Sequence, residues 1–451
     1  MSRLQKSRKN RNVRDCSFSR IKAIVRSTIP APLATVLRTA KSIAFGLKSW
    51  AAMKRCSLRP KSALGTVVIL SLGGRHGSPI LAKSVQELGY DIHVISPRFP
   101  SYEGQFARGW TRCDPVLDVV GTIKAARKIA PLSALVEHRN ILLPAKSEIH
   151  NALGLRDVGE LSFKASNSKI SMREALRDAG VPQLKWCKHE NYQSGQLGYP
   201  LIVKPEQGTG SRGVILAQNE TDVENALKLN KTLSKGIIAG GRILMEEFID
   251  GHNYDVTGIY RDGELYPFIV QAMQFTSVDG ALPASWYLLN APIEDALRNR
   301  LIAKAKAHLN DMDVKVGAFT CEIRMDNVGN FFVTDFANRC ATPLSTSMAA
   351  GASLTEYYAR AMLEEEFKKP DLKNYVVFQR FVRNEDELSR YRAFIKQYPE
   401  MVYDARLLKS QYADVLTLAR ISLFATTYEE LKDALGEHNL IPPEFSQYGF
   451  N

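Results

Sequence analysis

Leu201–Val214 reads Leu-Ile-Val-Lys-Pro-Glu-Gln-Gly-Thr-Gly-Ser-Arg-Gly-Val, and the reading of the fold starts there. With Tyr199-Pro200 in front, its first residues make an apolar run of strand length that contains one charge, Lys204. An ammonium inside an apolar strand is costly unless an anion meets it. Gly208, Gly210 and Gly213 follow at once, and residues without a Cβ let backbone amides approach and cradle phosphate oxygens. No Gly-Lys-[Ser/Thr] closes the loop, so it is not a Walker A motif. On these residues alone, a hairpin turn beside a surfacing lysine stays open.

Working outward toward the C-terminus, Arg242–Ile249 reads as a second strand with Glu246 and Glu247 at its end, continued past Asp250-Gly251 by Tyr254–Tyr260. Such a strand end offers backbone donors and acceptors to a planar base, and a carboxylate there can accept from an exocyclic amine. Gly317–Met325 and Phe331–Phe336 flank Asp326-Asn327-Val328-Gly329 as a β-hairpin. Counting out from the turn places Glu322 nearly opposite Asp335. Like charges facing each other destabilise a sheet. A divalent cation would relieve the repulsion, and oxygen-only ligation points to Mg²⁺, with Mn²⁺ as an alternative. The other reading turns one carboxylate inward and leaves the other in solvent.

Toward the N-terminus, Thr66–Leu72, a helical stretch Ile80–Leu88 and Asp91–Ser96 form a β-α-β opening, hence a parallel sheet. The loop Gly73-Gly74-Arg75-His76-Gly77 lacks the G-x-G-x-x-G pattern of a dinucleotide site. A strand Ile141–Leu143 is expected to run into Pro144-Ala145-Lys146, and a helix Ser171–Ala179 to end at Gly180 and Pro182. Arg75, His76 and His150 are ligand candidates by position only. Residues 372–451 carry strands Tyr375–Val382 and Val415–Ala425. A helix comes next, whose Thr427 and Glu430 have capping-box spacing.

The net charge of +13 is unevenly placed. Residues 1–64 hold 16 Lys/Arg against the single acid Asp15, while the rest of the chain holds 44 bases against 46 acids. The basic character belongs to a tail, which argues against a nucleic-acid-binding body. Residues 1–20 are polar and basic, and are expected to be disordered. In residues 31–55, Leu33, Val36, Leu37, Ala40, Ile43, Leu47 and Trp50 recur at helical spacing among Arg38, Lys41, Lys48, Lys54 and Arg55. Three readings stay open: peripheral contact with an anionic membrane, a helix packed on the body, or an organelle transit peptide. No run approaches the roughly 18 apolar residues of a spanning helix. The six scattered cysteines form no C-x-x-C pair, which suits a reducing compartment, expected to be cytoplasmic.

Taken together, these motifs and their order resemble the ATP-grasp superfamily across roughly residues 65–440. The resemblance implies an N-terminal parallel-sheet pre-ATP-grasp domain (65–160), an ATP-grasp domain of two α+β subdomains (161–368) and a small C-terminal α/β appendage (369–451) behind the tail 1–64. It implies ATP bound by Lys169, Lys204, Gly208, Gly210, Ser211, Gly213, Glu246, Phe248, Ile249 and Asn253. Metal would sit on Glu322 and Asp335 with Asn338, and Lys204 and Arg339 would act in catalysis. Arg324 could orient a substrate carboxylate, and loops such as Gln274–Tyr287 would set substrate choice. Two departures stand out: Asn253 occupies a position that often holds a ribose-binding glutamate, and Ala337 replaces the usual metal-site asparagine, leaving Asn338 one place late.

The implied activity is ATP-dependent ligation of a small-molecule carboxylate to an amine through an acyl phosphate. A biotin-carboxylase-like enzyme is the first alternative, although no Met-Lys-Met carrier lure occurs in the sequence. A nucleotide-binding, membrane-associated protein with weak or no catalysis is the second.

Overall fold

The computed structural model describes residues 45, 47–72, 77–99, 102–139, 142–156, 158–208, 210–234, 241–340, 343–412 and 415–450. The expectations on Arg75, His76 and residues 1–44 lie outside the described residues. The first sheet is parallel throughout, in the order β3-β2-β1-β4, from β1 (Thr66–Leu70), β2 (Asp91–Ser96), β3 (Gly109–Arg112) and β4 (Leu132–Val136). Strand β1 is apolar without alternation because both its faces are buried. Val67 and Ile69 pack toward helix Leu354–Met362, and Val68 and Leu70 pack on the opposite side.

The fourth strand differs from expectation. It is Leu132–Val136, not Ile141–Leu143, and Leu143 instead opens helix Leu143–Leu153. Pro144 sits in that helix's first turn, where a missing N–H leaves no bond unmade. His150, buried in this helix, has Nδ1 2.5 Å from the Arg156 carbonyl, a structural contact.

A second, antiparallel sheet has the order β5-β8-β6-β7, from β5 (Trp186–Lys188), β6 (Leu201–Pro205), β7 (Ile215–Ala217) and β8 (Ile243–Glu247). Helix Glu220–Ser234 covers one face with Val223 and Ala226. The third sheet is antiparallel and eight-stranded. Its strands are β9 (Gly251–Arg261), β10 (Glu264–Phe275), β11 (Ala284–Leu289), β12 (Val316–Asp326), β13 (Phe331–Ala337), β14 (Val376–Val382), β15 (Val402–Tyr412) and β16 (Val415–Ala425), ordered β13-β12-β9-β10-β11-β14-β16-β15.

The expected parallel opening and mixed α/β body are both present, and the C-terminal strands continue the large sheet. Strands β10, β11 and β15 were not read from the sequence. The expected loop Gln274–Tyr287 consists of the connection 276–283 flanked by the facing ends of β10 and β11, with Gln274 opposite Trp286. The Thr427 cap forms as expected, accepting from the Glu430 amide at 3.1 Å.

Helix Asp295–Asp311 packs on the large sheet and buries His308 against the Phe336 ring, 5.2 Å between centroids. Burial, and then the Arg173 charge, push its imidazole down to about 3. The folded state therefore binds fewer protons than the unfolded one between pH 3 and the ordinary histidine value near 6.5. Stability from this group is full above about 6.5 and is lost as pH falls toward 3, at up to about 1.4 kcal/mol per pH unit. Replacing His308→Leu is expected to flatten the dependence of unfolding free energy on pH between 7 and 5, measured by denaturant titration of both proteins. An unchanged slope would refute the assignment.

Candidate functional site

The second and third sheets face each other across a cleft of about 560 Å³. Its lining includes Lys169, Lys204, Gly208, Gly210, Ser211, Glu246, Phe248, Ile249, Asn253, Glu322, Asp335 and Arg339. These residues come from five separated segments, around 169, 204–211, 246–253, 322 and 335–339, and the fold gathers them.

Lys204 is buried, and its anion is internal. Nζ lies 2.6 Å from Glu246 Oε2, one strand over on β8, and donates to the Thr334 carbonyl at 3.0 Å. Arg173, buried in helix Lys169–Asp178, completes the group: Nε donates to Glu246 Oε1 at 2.7 Å and Nη1 to the Val333 carbonyl at 2.9 Å. Burial lowers the Lys204 ammonium, opposed by Glu246. Burial alone would raise the Glu246 carboxyl, but the charges of Arg173 and Lys204 outweigh it and hold it low. The expectation that the Glu246 carboxylate meets a base's exocyclic amine is corrected: both its oxygens are committed to cations.

Phosphate-binding potential lies beside this group. Lys169 Nζ is 3.3 Å from Asp335 Oδ1. The Lys169 amide donates to the Glu206 carbonyl at 3.1 Å, and Ser168 Oγ donates to the Glu206 carboxylate. The helix carrying Lys169 is thus pinned to the start of the glycine loop. Gly210, Ser211 and Gly213 all take positive φ. Gly213, expected to touch ligand, instead shapes the loop's exit. It does not line the cleft, its carbonyl accepts from Asn230 Nδ2 at 2.9 Å, and a Cβ on it would lie 2.3 Å from Asn230 Oδ1.

Across the cleft, the hairpin β12–β13 sets Glu322 opposite Asp335, and β9 sets Asp255 opposite Glu322. Three carboxylates therefore stand in a row on adjacent strands. A bulge at Thr334 produces the Glu322–Asp335 pairing, because without that extra residue Glu322 would face Thr334. Burial, then the Asp335 and Asp255 charges, raise the Glu322 carboxyl. Asp255 is pushed by burial up to about 6, although hydroxyls of Thr320 and Thr257 and the Gln271 amide donate to it.

Glu322 makes no ion pair among the described residues, and the negative charges of Asp335 and Asp255 beside it favour a cation at this position. Glu322 and Asp335 thus fit a hard divalent ion. Among the described residues no three acids, histidines or cysteines come close enough to ligate one together, so oxygens of a bound ligand or water would complete the shell.

Asn338 is corrected as a metal residue. It is buried on the face away from the cleft, its side-chain nitrogen donating to Ser162 Oγ at 2.6 Å and its amide to Ser166 Oγ at 2.8 Å. Ala337 shares the face of Asp335, as strand alternation requires. Asn253 lines the cleft, but its Oδ1 accepts from Arg324 Nη1 at 2.9 Å. Arg324 itself stacks 4.6 Å from the Phe248 ring and bonds the Ile249 carbonyl, so it braces the hinge rather than orienting a substrate. The Ile249 amide has no partner among the described residues and can donate to a base.

The sequence reading missed Arg173, which holds Glu246 from behind, and Asp255, Gln379 and Arg420, which line the cleft. Asp255 was recoverable, since it alternates with Asn253 along β9. The rest carry no local signal.

Residues 197–347 match the family model described as ATP-grasp domain. Formate-dependent phosphoribosylglycinamide formyltransferase of Methanocaldococcus jannaschii is 31% identical over 152 residues, covering 31% of this chain and 38% of that protein. The chain spans about a third of the length of the curated relatives it matches. Among solved structures, L-amino acid ligase from Bacillus licheniformis superposes with TM-score 0.65 at 15% identity, covering 84% of this chain and 98% of that one. N5-carboxyaminoimidazole synthetase from Staphylococcus aureus complexed with ADP does so with TM-score 0.62 at 17% identity, over 84% and 98%. At these identities the structural likeness is one of fold.

Arg173→Met leaves Glu246 buried with one cation instead of two. The expected loss of stability is about 3 kcal/mol, the cost of breaking a buried charged pair. Chemical denaturation measures it, and a loss below about 1 kcal/mol would mean that Arg173 is not needed to balance Glu246.

Proposed function

We propose that this chain, whose residues 197–347 match the ATP-grasp domain model, is an ATP-dependent, ADP-forming carboxylate–amine ligase of the ATP-grasp type. One observation carries the reading: two lysines and a glycine loop on one wall of the cleft face an acidic pair and Arg339 on the other. ATP would place its base against Ile202, Leu216 and Phe248 with the Ile249 amide as donor, and its phosphates against Lys169, Lys204 and the amides around Gly208–Ser211. Mg²⁺ on Glu322 and Asp335 would neutralise phosphate charge.

The chain's own residues then account for positioning. Lys169 and Lys204 hold the phosphates in line with an incoming carboxylate oxygen, which attacks the γ-phosphorus as the bond to ADP breaks. Arg339, on the same side as the acids, stabilises the charge on the transferred phosphoryl group. The amine nitrogen then attacks the acyl carbon, phosphate leaves, and the nitrogen loses a proton to give the amide. Both substrates are small molecules, and the compartment we infer is the cytoplasm.

Pooled amino acids and simple amines, supplied with MgATP, are expected to release phosphate only when a carboxylate and an amine are both present. Phosphate released by bicarbonate alone would favour carboxylation, and tight ATP binding with no turnover under any condition would reject the ligase reading. Within the active enzyme, Glu322→Gln is expected to lower kcat at least 100-fold with ATP binding kept within a few-fold. Lys204→Met is expected to raise the KM for ATP at least tenfold. Steady-state kinetics with nucleotide-binding titrations separate the two effects.

A further inference from the structure

Residues 47–57 form a helix that packs on the first sheet's domain the wrong way round for an ordinary surface helix. A helix docked on a protein body normally buries its leucines and tryptophans and shows its serines to water. Here Ser49 (2% exposed) and Cys56 are buried, while Leu47 (64%), Trp50 (51%) and, just past the helix end, Leu58 (85%) are exposed. At 100° per residue, Leu47, Trp50, Ala51, Lys54 and Leu58 fall within about 100° of one another, and Ser49 and Cys56 lie opposite.

The body-facing side is tethered by specific contacts. Phe45 packs on Tyr102 at 4.7 Å between ring centroids, and Cys56 Sγ donates to the Gln105 carbonyl at 3.8 Å. Arg108 donates to the carbonyls of Cys56, Arg59 and Pro60. The helix is therefore held on the body, and its apolar stripe points outward.

Charge decides what covers that stripe. Lys48, Lys54 and Arg55 flank it and are exposed, with Lys54 Nζ 5.6 Å from the Trp50 ring centroid. The helix has no acidic residue, and the 64-residue stretch containing it has one. A second copy of this chain would bring like charges together, and a globular partner's apolar patch would leave the surrounding lysines unmatched. An anionic lipid surface satisfies both features: leucine and tryptophan enter the boundary between headgroups and acyl chains, while lysine stems reach to the phosphates. No helix among the described residues is long and apolar enough to cross a membrane.

We propose that the outward face of residues 47–58 docks this protein on an anionic membrane surface, with Leu47, Trp50 and Leu58 inserted and Lys48, Lys54 and Arg55 on the headgroups. The inference is independent of the ligase reading and survives its failure.

The test is co-sedimentation of the full chain with phosphatidylcholine vesicles, with and without 30% phosphatidylserine. Binding is expected only with phosphatidylserine and is expected to weaken at least tenfold between about 50 and 300 mM salt, as screening requires. Leu47→Ser/Trp50→Ser/Leu58→Ser is expected to cut binding at least tenfold. Its unfolding midpoint should not change, because these side chains touch water in the free protein. Lys48→Gln/Lys54→Gln/Arg55→Gln should remove the phosphatidylserine preference. Equal binding by the serine variant, or no binding at low salt, overturns the proposal. Self-association in light scattering that the serine variant abolishes, without vesicle binding, reassigns the face to a second copy and overturns it too.

Discussion

Glu246 is the constraint on which the cleft depends. Its carboxylate is buried between Lys204 and Arg173, and those two cations donate to consecutive carbonyls of β13, Thr334 and Val333. One acid on the small sheet thereby fixes the distance between that sheet and the edge of the large one. The arrangement is expensive, because three charges leave water. It is offset by the contacts made: both carboxylate oxygens and both carbonyls are used, while Arg173 Nη2 stays buried without a hydrogen-bond partner among the described residues. Under the proposed function, a phosphate arriving at Lys204 would meet an ammonium already held in place by Glu246 and the Thr334 carbonyl.

The bulge at Thr334 serves both walls. It turns two adjacent carbonyls toward cations that an ordinary ladder would not serve, and by shifting the register it brings Asp335 opposite Glu322. The same register keeps Ala337 on the cleft-side face and sends Asn338 to the core, where Ser162 and Ser166 receive it. Asp255 adds a third carboxylate, but two hydroxyls and an amide already occupy it. The pair Glu322–Asp335 is the acidic centre with coordination capacity to spare.

Charge is segregated along the chain in a way that separates two tasks. The body is nearly neutral overall, and its cleft sets Asp255, Glu322 and Asp335 side by side on adjacent strands. The N-terminal stretch is almost purely basic and ends in a helix that shows leucine and tryptophan to solvent. The large sheet links the cleft to the C-terminal strands, which is why Gln379 and Arg420, remote in sequence, reach the same cavity as the glycine loop.

The sequence by itself determined the elements whose signals are local. Thr66–Leu70, Leu201–Pro205 and Val415–Ala425 are apolar runs of strand length. The glycines after Lys204 forecast a loop, and the hairpin turn at Asp326–Gly329 brought Glu322 near Asp335 by counting alone. Only the tertiary structure decided what depends on partners distant in sequence. Strands β10 and β15 interrupt their apolar residues with Gln271, Arg406 and Ser410, so they read as strands only once neighbouring strands supply the pairing. The role of Glu246 turned from base recognition to ion pairing because Arg173 approaches from a helix 73 residues away. Asp335 met Glu322 squarely only through a bulge that no periodicity reveals. The helix at 47–57 shows its amphipathic pattern in sequence, but which face meets the body was settled by packing, and packing chose the serine side.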